Sequence, residues 1–232
     1  TTEGAPDRAT LSKYKNSVIG ALESAGFNAD RTSLTARDNN RFFSFNVDYN
    51  SQFAPIIGFR PHIQLEFTVS RPILPSKENP VASFIAQLKK EAPEVDKISC
   101  VDPVEIAADK LSALVWRIPK QTQGGKGEDR SLVRHIHDLA MLEPVVKGST
   151  QFPALVLAAL QQDNERNKAI AALAPKEKFR LLLDTLTFEA EKYRAEYDTF
   201  VKSVSYATEG VVPNYDTALN AVKRLIDFVN SP

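Results

Sequence analysis

A chain of 232 residues suits one large domain or two small ones, and 43% hydrophobic with 25% charged residues is the balance of a protein that buries an ordinary core. Lys and Arg total 29 and Asp and Glu total 29, so no global field steers the molecule to nucleic acid or an anionic membrane, and any phosphate site must be a local cluster. The single Cys100 excludes an internal disulfide and suits a reducing cytoplasm; no apolar run approaches the roughly 20 residues of a membrane span, and the sequence does not open on a secretory signal.

Residues 1–9 are polar and read as a loose end. Leu11, Tyr14, Val18, Ile19 and Leu22 then recur at helical spacing, with Gly26 as a stop signal. Two strand patterns follow. Phe43, Phe45, Val47 and Tyr49 alternate with Phe42, Ser44, Asn46 and Asp48; Ile63, Leu65, Phe67 and Val69 alternate with Gln64, Glu66, Thr68 and Ser70. FAPIIGFRP supplies turn residues between them, so the two are read as a hairpin or as neighbouring strands. RPILPSKENP is read as a proline-rich loop and VASFIAQLKK as a short helix.

From Asp102 onward the pattern is helical. Asp102 is placed as N-cap, Pro103 at the first helical position and Glu105 at the third, a capping-box arrangement. Val104, Ala107, Ala108, Leu111, Leu114, Val115 and Ile118 form a broad apolar stripe. PKQTQGGKGEDR is expected to break this helix at Pro119 and form a loop; GGKG within it lacks P-loop spacing. SLVRHIHDLAMLE restarts the helical pattern, with Val133, Ile136 and Ala140 facing inward. ALVLAAL, a long amphipathic run from Phe179 to Phe200, and a last helix with Ala218, Val222, Leu225 and Val229 complete the chain. The expected architecture is α+β, with an αβ part over 1–100 and a helical domain over 101–232.

Ile106, Lys110, Ala113 and Arg117 share one helix face. Lys110 and Arg117, seven residues apart, stand about 10 Å from each other along the axis, close to the reach of a triphosphate, and the small Ala113 leaves room between them. Arg offers a fork to phosphate oxygens and Lys a mobile point charge. The bland alternative is a solvated edge beside the core stripe. Arg134 and Asp138, at i and i+4, read as an exposed ion pair. His135 and His137 point roughly 200° apart on a helix and cannot share one metal ion. Glu66 stands in the polar phase of its strand, either as a solvated residue or as one of several carboxylates converging on Mg²⁺.

DPVEIAADKLSALVWR, a glycine-rich loop and then RHIHDLAML together resemble the paired signature of the AbiEii/AbiGii nucleotidyltransferase toxins of type IV toxin–antitoxin and abortive-infection systems. Glu105, Ala108, Lys110, Leu111, Ala113, Leu114 and Arg117 fill the first motif in register. Arg134, Asp138 and Leu139 fill the second, with His135 where the family commonly has Asp. The resemblance implies part of a polymerase-β-like nucleotidyltransferase mixed sheet followed by a helical C-terminal domain. It implies Mg²⁺ as cofactor, an NTP as substrate, a tRNA 3′ end as acceptor and a cognate antitoxin as partner. By the same resemblance Lys110 and Asp138 are catalytic, Lys110, Arg117 and Arg134 bind the nucleotide, and Glu66 binds the metal. The family's upstream glycine motif and Asp-x-Asp pair do not occur in these residues, which begin at Thr1. That predicts either a C-terminal piece of a longer toxin, the favoured reading, or a shortened homologue lacking the metal site, and in both cases a chain catalytically incomplete as it stands. Two other readings stay open: a non-catalytic module binding protein or RNA through the helical part, and a metal phosphohydrolase built on His137 and Asp138.

Overall fold

The structure, a computed structural model, describes residues 6–50, 62–70, 72–122, 129, 132–204 and 212–231. It divides into two compact units, Thr1–Arg71 and Pro72–Pro232. Residues 72–100, grouped by the sequence with the αβ part, lie in the second unit.

In the first unit, helix α1 (Arg8–Ser24) starts where the Asp7 carboxylate accepts the Thr10 N–H at 2.7 Å. It ends at the predicted glycine. Gly26 adopts φ +86°, and the N–H groups of Gly26 and Phe27 close back onto the Glu23 and Leu22 carbonyls at 3.0 Å each. Strands β1 (Asn28–Arg37), β2 (Phe42–Asp48) and β3 (His62–Thr68) form an antiparallel sheet in that order. β2 and β3 pair in unbroken register from Phe42 opposite Thr68 to Asp48 opposite His62. The turn residues expected between them, 53–61, lie outside the described residues. β1 was not anticipated: NADRTSLTAR carries little apolar alternation, and its pairing with β2 shifts register between Asp30 and Thr35. Asp38, Asn39 and Asn40, each with positive φ, turn the chain from β1 to β2, residue types that tolerate this region. The core stacks Phe43 on Phe67 at 4.6 Å, with Ile19 from α1, Phe45 and Val47 around them.

The second unit opens with β4 (Lys77–Val81), α2 (Phe84–Lys89) and β5 (Val95–Cys100), the strands paired antiparallel. The stretch predicted as a proline-rich loop thus contains a strand. Every residue of β4 is exposed, so it lacks the one-sided apolar alternation that would reveal it, and Pro80 argues further against it. α2 turns Phe84, Ile85 and Leu88 to solvent.

Among the described residues six α-helices follow: α3 (Pro103–Thr122), α4 (Val133–Val146), α5 (Phe152–Gln162), α6 (Pro175–Phe188), α7 (Ala190–Val204) and α8 (Tyr215–Asn230). α3 packs against α4, α5 and α6, while α4 also meets α7 and α8. The whole predicted stripe of α3, from Val104 to Ile118, is buried. The long amphipathic run proves to be two helices, α6 and α7, parted at Glu189. No helix among the described residues is long and apolar enough to cross a membrane.

Two local expectations for α3 change. Asp102 does accept the Val104 N–H at 2.8 Å, but Glu105 does not reach back to close a capping box. Its carboxylate instead accepts the N–H groups of Ile73, at 2.8 and 3.1 Å, and Leu74, at 2.9 Å, tying the segment before β4 to the helix. Nor does Pro119 end the helix, which runs on to Thr122. A proline this near the C-terminus disturbs only the final turn, and Ile118 beside it is fully buried and holds the chain in place.

Glu143 joins α4 to α8. Buried to 8% exposure, it accepts two hydrogen bonds from Arg224 at 2.6 and 2.8 Å and faces Lys147 at 3.0 Å. The Arg224 hydrogen bonds outweigh burial and hold its carboxyl below the usual range. A depressed folded-state value stabilises above the unfolded Glu value, near 4.3, and the benefit fades as pH falls through the folded value. Glu143→Gln should therefore lower stability by about 1–3 kcal/mol at neutral pH in denaturant titrations, with the deficit shrinking below about pH 4. Equal stability at neutral pH would mean that the pair contributes nothing.

Candidate functional site

Burial of α3 on three sides leaves it a narrow polar edge carrying Lys110, Ala113 and Arg117. α4 lies alongside and presents Arg134, His135 and Asp138. Across the seam the Lys110 ammonium donates to Asp138 Oδ2 at 2.6 Å, the two side chains 24% and 34% exposed. Arg117 Nη1 approaches Asp129 Oδ2 at 3.3 Å. The two charges singled out on α3 thus each hold a carboxylate. The predicted Arg134–Asp138 pair does not form, because Asp138 turns across to Lys110 while Arg134 faces solvent.

Burial acts to raise the Asp138 carboxyl, but hydrogen bonds from His137 and Lys110, with the Lys110 charge, overcome it and leave the group at about 2. His137 Nδ1 lies 3.4 Å from Asp138 Oδ1, long for a hydrogen bond. Its ring packs towards α7, 5.6 Å from Phe200 and 6.2 Å from Tyr197. His135 faces a different environment. Burial, then the charges of Lys110, Arg134 and Arg117, push it down to about 4 against the pull of Asp138, so the imidazole is neutral near pH 7.

Two further residues shape the seam and a third braces α3 on its side towards α5, none of them anticipated. Trp116 lies under the Arg117 guanidinium at 5.0 Å, with Lys120 and Arg166 at 5.6 and 5.7 Å. Ser112, fully buried, donates to Asp163 at 2.8 Å. Asp129 lies in the segment read as a loop, where no periodicity marks a partner for Arg117. A fourth residue, His135, did carry a signal, since it occupies an Asp position of the family signature.

Glu66 belongs to the other unit. It is exposed on β3, opposite Ser44. Among the described residues no three His, Cys, Asp or Glu side chains gather where they could hold a metal ion. The described residues therefore do not by themselves fit a Mg²⁺ site, nor the histidine-based one of a phosphohydrolase; Glu66 is a lone ligand candidate.

A helical unit with a cation-rich seam, in a chain that also carries a small antiparallel sheet, is consistent with an α+β nucleotidyltransferase-like fold. The sequence matches the family model described as nucleotidyl transferase AbiEii toxin, type IV TA system, over residues 2–221. The chain belongs to this family of nucleotidyltransferase toxins. No curated protein and no solved structure matches it.

If Lys110 shares with His137 in holding Asp138 ionised, Lys110→Met should raise the Asp138 carboxyl from about 2 towards the ordinary Asp value, because burial is then opposed by His137 alone. A ¹³C-detected titration of the aspartate carboxyls reads this directly. A value unmoved near 2 in the variant would assign the effect to His137 instead.

Proposed function

We propose that the chain takes part in transferring a nucleotide from an NTP to an RNA hydroxyl, with a tRNA 3′ end as acceptor, and that the α3–α4 seam holds the triphosphate. The observation that carries this reading is the gathering of Lys110, Arg117 and Arg134 around one seam in a member of a nucleotidyltransferase toxin family. Among the described residues Lys110 and Arg117 each meet one carboxylate, Asp138 and Asp129, and Arg134 adds a further positive charge, a local excess in a molecule of zero net charge. An ammonium has three donors and a guanidinium five, so each existing pair leaves donors for phosphate oxygens.

In such a transfer the acceptor hydroxyl attacks the α-phosphorus and pyrophosphate leaves. Lys110, Arg117 and Arg134 offset charge developing on the phosphate oxygens. Asp138 is a poor proton acceptor at neutral pH with its carboxyl at about 2. Its part is that of a positioning residue, fixing the Lys110 ammonium at the seam. As a toxin of a two-component system, the protein would be neutralised by a cognate antitoxin.

Calorimetric titration with each NTP in the presence of Mg²⁺, alongside incorporation of α-labelled NTP into total tRNA, tests this reading. Lys110→Ala should abolish detectable binding and slow incorporation by about 100-fold or more. A folded Lys110→Ala protein that binds and transfers as the wild type does would remove the triphosphate from this seam.

A further inference from the structure

His135 is the least accounted-for group at the seam. Its Nδ1 is shut off from solvent and makes no hydrogen bond, and Arg117 Nε is in the same condition. Nearly all buried polar groups in folded proteins are paired, so two unpaired nitrogens on facing helices call for an explanation. The His135 residue as a whole is only half-buried. With Nδ1 turned inward, the ring meets solvent through its opposite edge, the one carrying Nε2. Among the described residues the charges bearing on the ring are Lys110 and Arg117 from α3 and Arg134 and Asp138 from α4; α7 and α8, also packed on α4, add none. A packing role alone would favour an apolar side chain here, since a neutral imidazole among three cations neither pairs with them nor repays its own desolvation.

We infer that His135 is a direct contact for the polyphosphate of the bound nucleotide: the free ring holds its single proton on Nδ1, and as the anion arrives Nε2 takes a proton from solvent and donates it in a hydrogen bond to a phosphate oxygen. The inference rests on the nucleotide reading above and adds a residue and a proton to it. Apart from burial, the influences that keep the free imidazole neutral are the charges of Lys110, Arg134 and Arg117, and a polyanion settling among them offsets all three. The protonated ring then lends a fourth positive charge to the site. A folded-state proton affinity that rises on binding makes the binding tighter as pH falls. An aspartate at this position would instead set a negative charge against the phosphates.

The test compares the full chain with His135→Gln, whose amide places a donor near Nε2 but cannot titrate, and with His135→Leu, which has no donor. Inorganic tripolyphosphate is the probe, followed by the four NTPs, in buffers of differing ionisation enthalpy. Comparing wild type with His135→Gln cancels the titration of the phosphates themselves. From about pH 7.5 to about pH 5.5 the affinity of the wild type should grow about three- to fivefold relative to His135→Gln, with more protons taken up per ligand. His135→Leu should bind about tenfold more weakly than wild type at the lower pH. Identical pH dependence and proton uptake in wild type and His135→Gln would overturn the inference while leaving the nucleotide reading intact. Absence of any triphosphate binding by the wild type would overturn both. A tRNA that binds through His135 when tripolyphosphate does not would assign the contact to an RNA backbone phosphate and equally overturn the inference. Thermal melting of each variant separates loss of binding from loss of fold, and His135→Gln, close in size and polarity, keeps the test open should His135→Leu unfold.

Discussion

The helical unit is organised by the burial of α3. Because α4, α5 and α6 all pack against it, the helix has apolar side chains over most of its circumference, and Ala107 and Ala108 let its neighbours come close. What remains less buried includes the row of Lys110, Ala113 and Arg117 bordering α4, beside the exposed Asp109 and Lys120. Any charged side chain on that row is pressed against α4 and cannot spread into solvent. Lys110 and Arg117 are therefore half-buried by the packing of the helix that carries them, whatever they were selected to do. The same packing brings Asp138 and His135 to them, since α4 is fixed on its own buried face by Val133, Ile136 and Leu139.

This confinement changes the worth of each charge. A lysine in open water beside an aspartate gains little, but the Lys110–Asp138 contact at 2.6 Å joins two side chains that are each largely withdrawn from solvent. Its effect shows in the deep lowering of the aspartate and in the opposite pressure on His135, one helical turn away, which is driven neutral. Two groups on the same helix, three residues apart, are thus pushed below their ordinary values for different reasons. Asp138 is favoured in its charged form by the groups it touches, His137 and Lys110, and His135 is disfavoured in its charged form first by burial and then by cations it does not pair with. His137, two residues on from His135, keeps Nδ1 towards Asp138 at 3.4 Å while its ring packs on the aromatic rings of α7.

How far the sequence reveals this depends on the kind of interaction. The apolar stripe of α3 was legible to the residue, because burial on one broad face repeats at the helical period. The pairing of β2 with β3 was legible for the corresponding reason, alternation at period two. β1 and β4 were not, because they are mostly or wholly exposed and carry no such alternation. Side-chain partners were the least legible. Asp138 has a cation four residues back on its own helix, and local spacing favours that pairing; only the approach of α3 offers it Lys110. Glu105 looks like half of a capping box until the segment at Ile73 and Leu74 presents two backbone N–H groups in need of acceptors. The motif residues of the site could be picked out by resemblance, whereas what they touch is a tertiary fact.

The two ion pairs of α4 also differ in a way that bears on purpose. Glu143 receives both arms of Arg224 and a lysine, with the carboxylate almost fully buried, so its hydrogen-bonding capacity is largely used within the fold. That geometry is what a structural tie between helices requires. Lys110 and Asp138 meet through one short contact, and each keeps a quarter to a third of its side chain in solvent. Arg117 is held still more loosely, by one hydrogen bond of 3.3 Å and the face of Trp116 at 5.0 Å. If stability alone had shaped this seam, a pair of apolar residues would serve as well or better, since separating two charges from water recovers little unless the hydrogen bonding is complete. An incompletely satisfied set of cations, kept in place by helices that are themselves firmly packed, is instead the arrangement in which donors remain for a ligand and their positions are set before it binds.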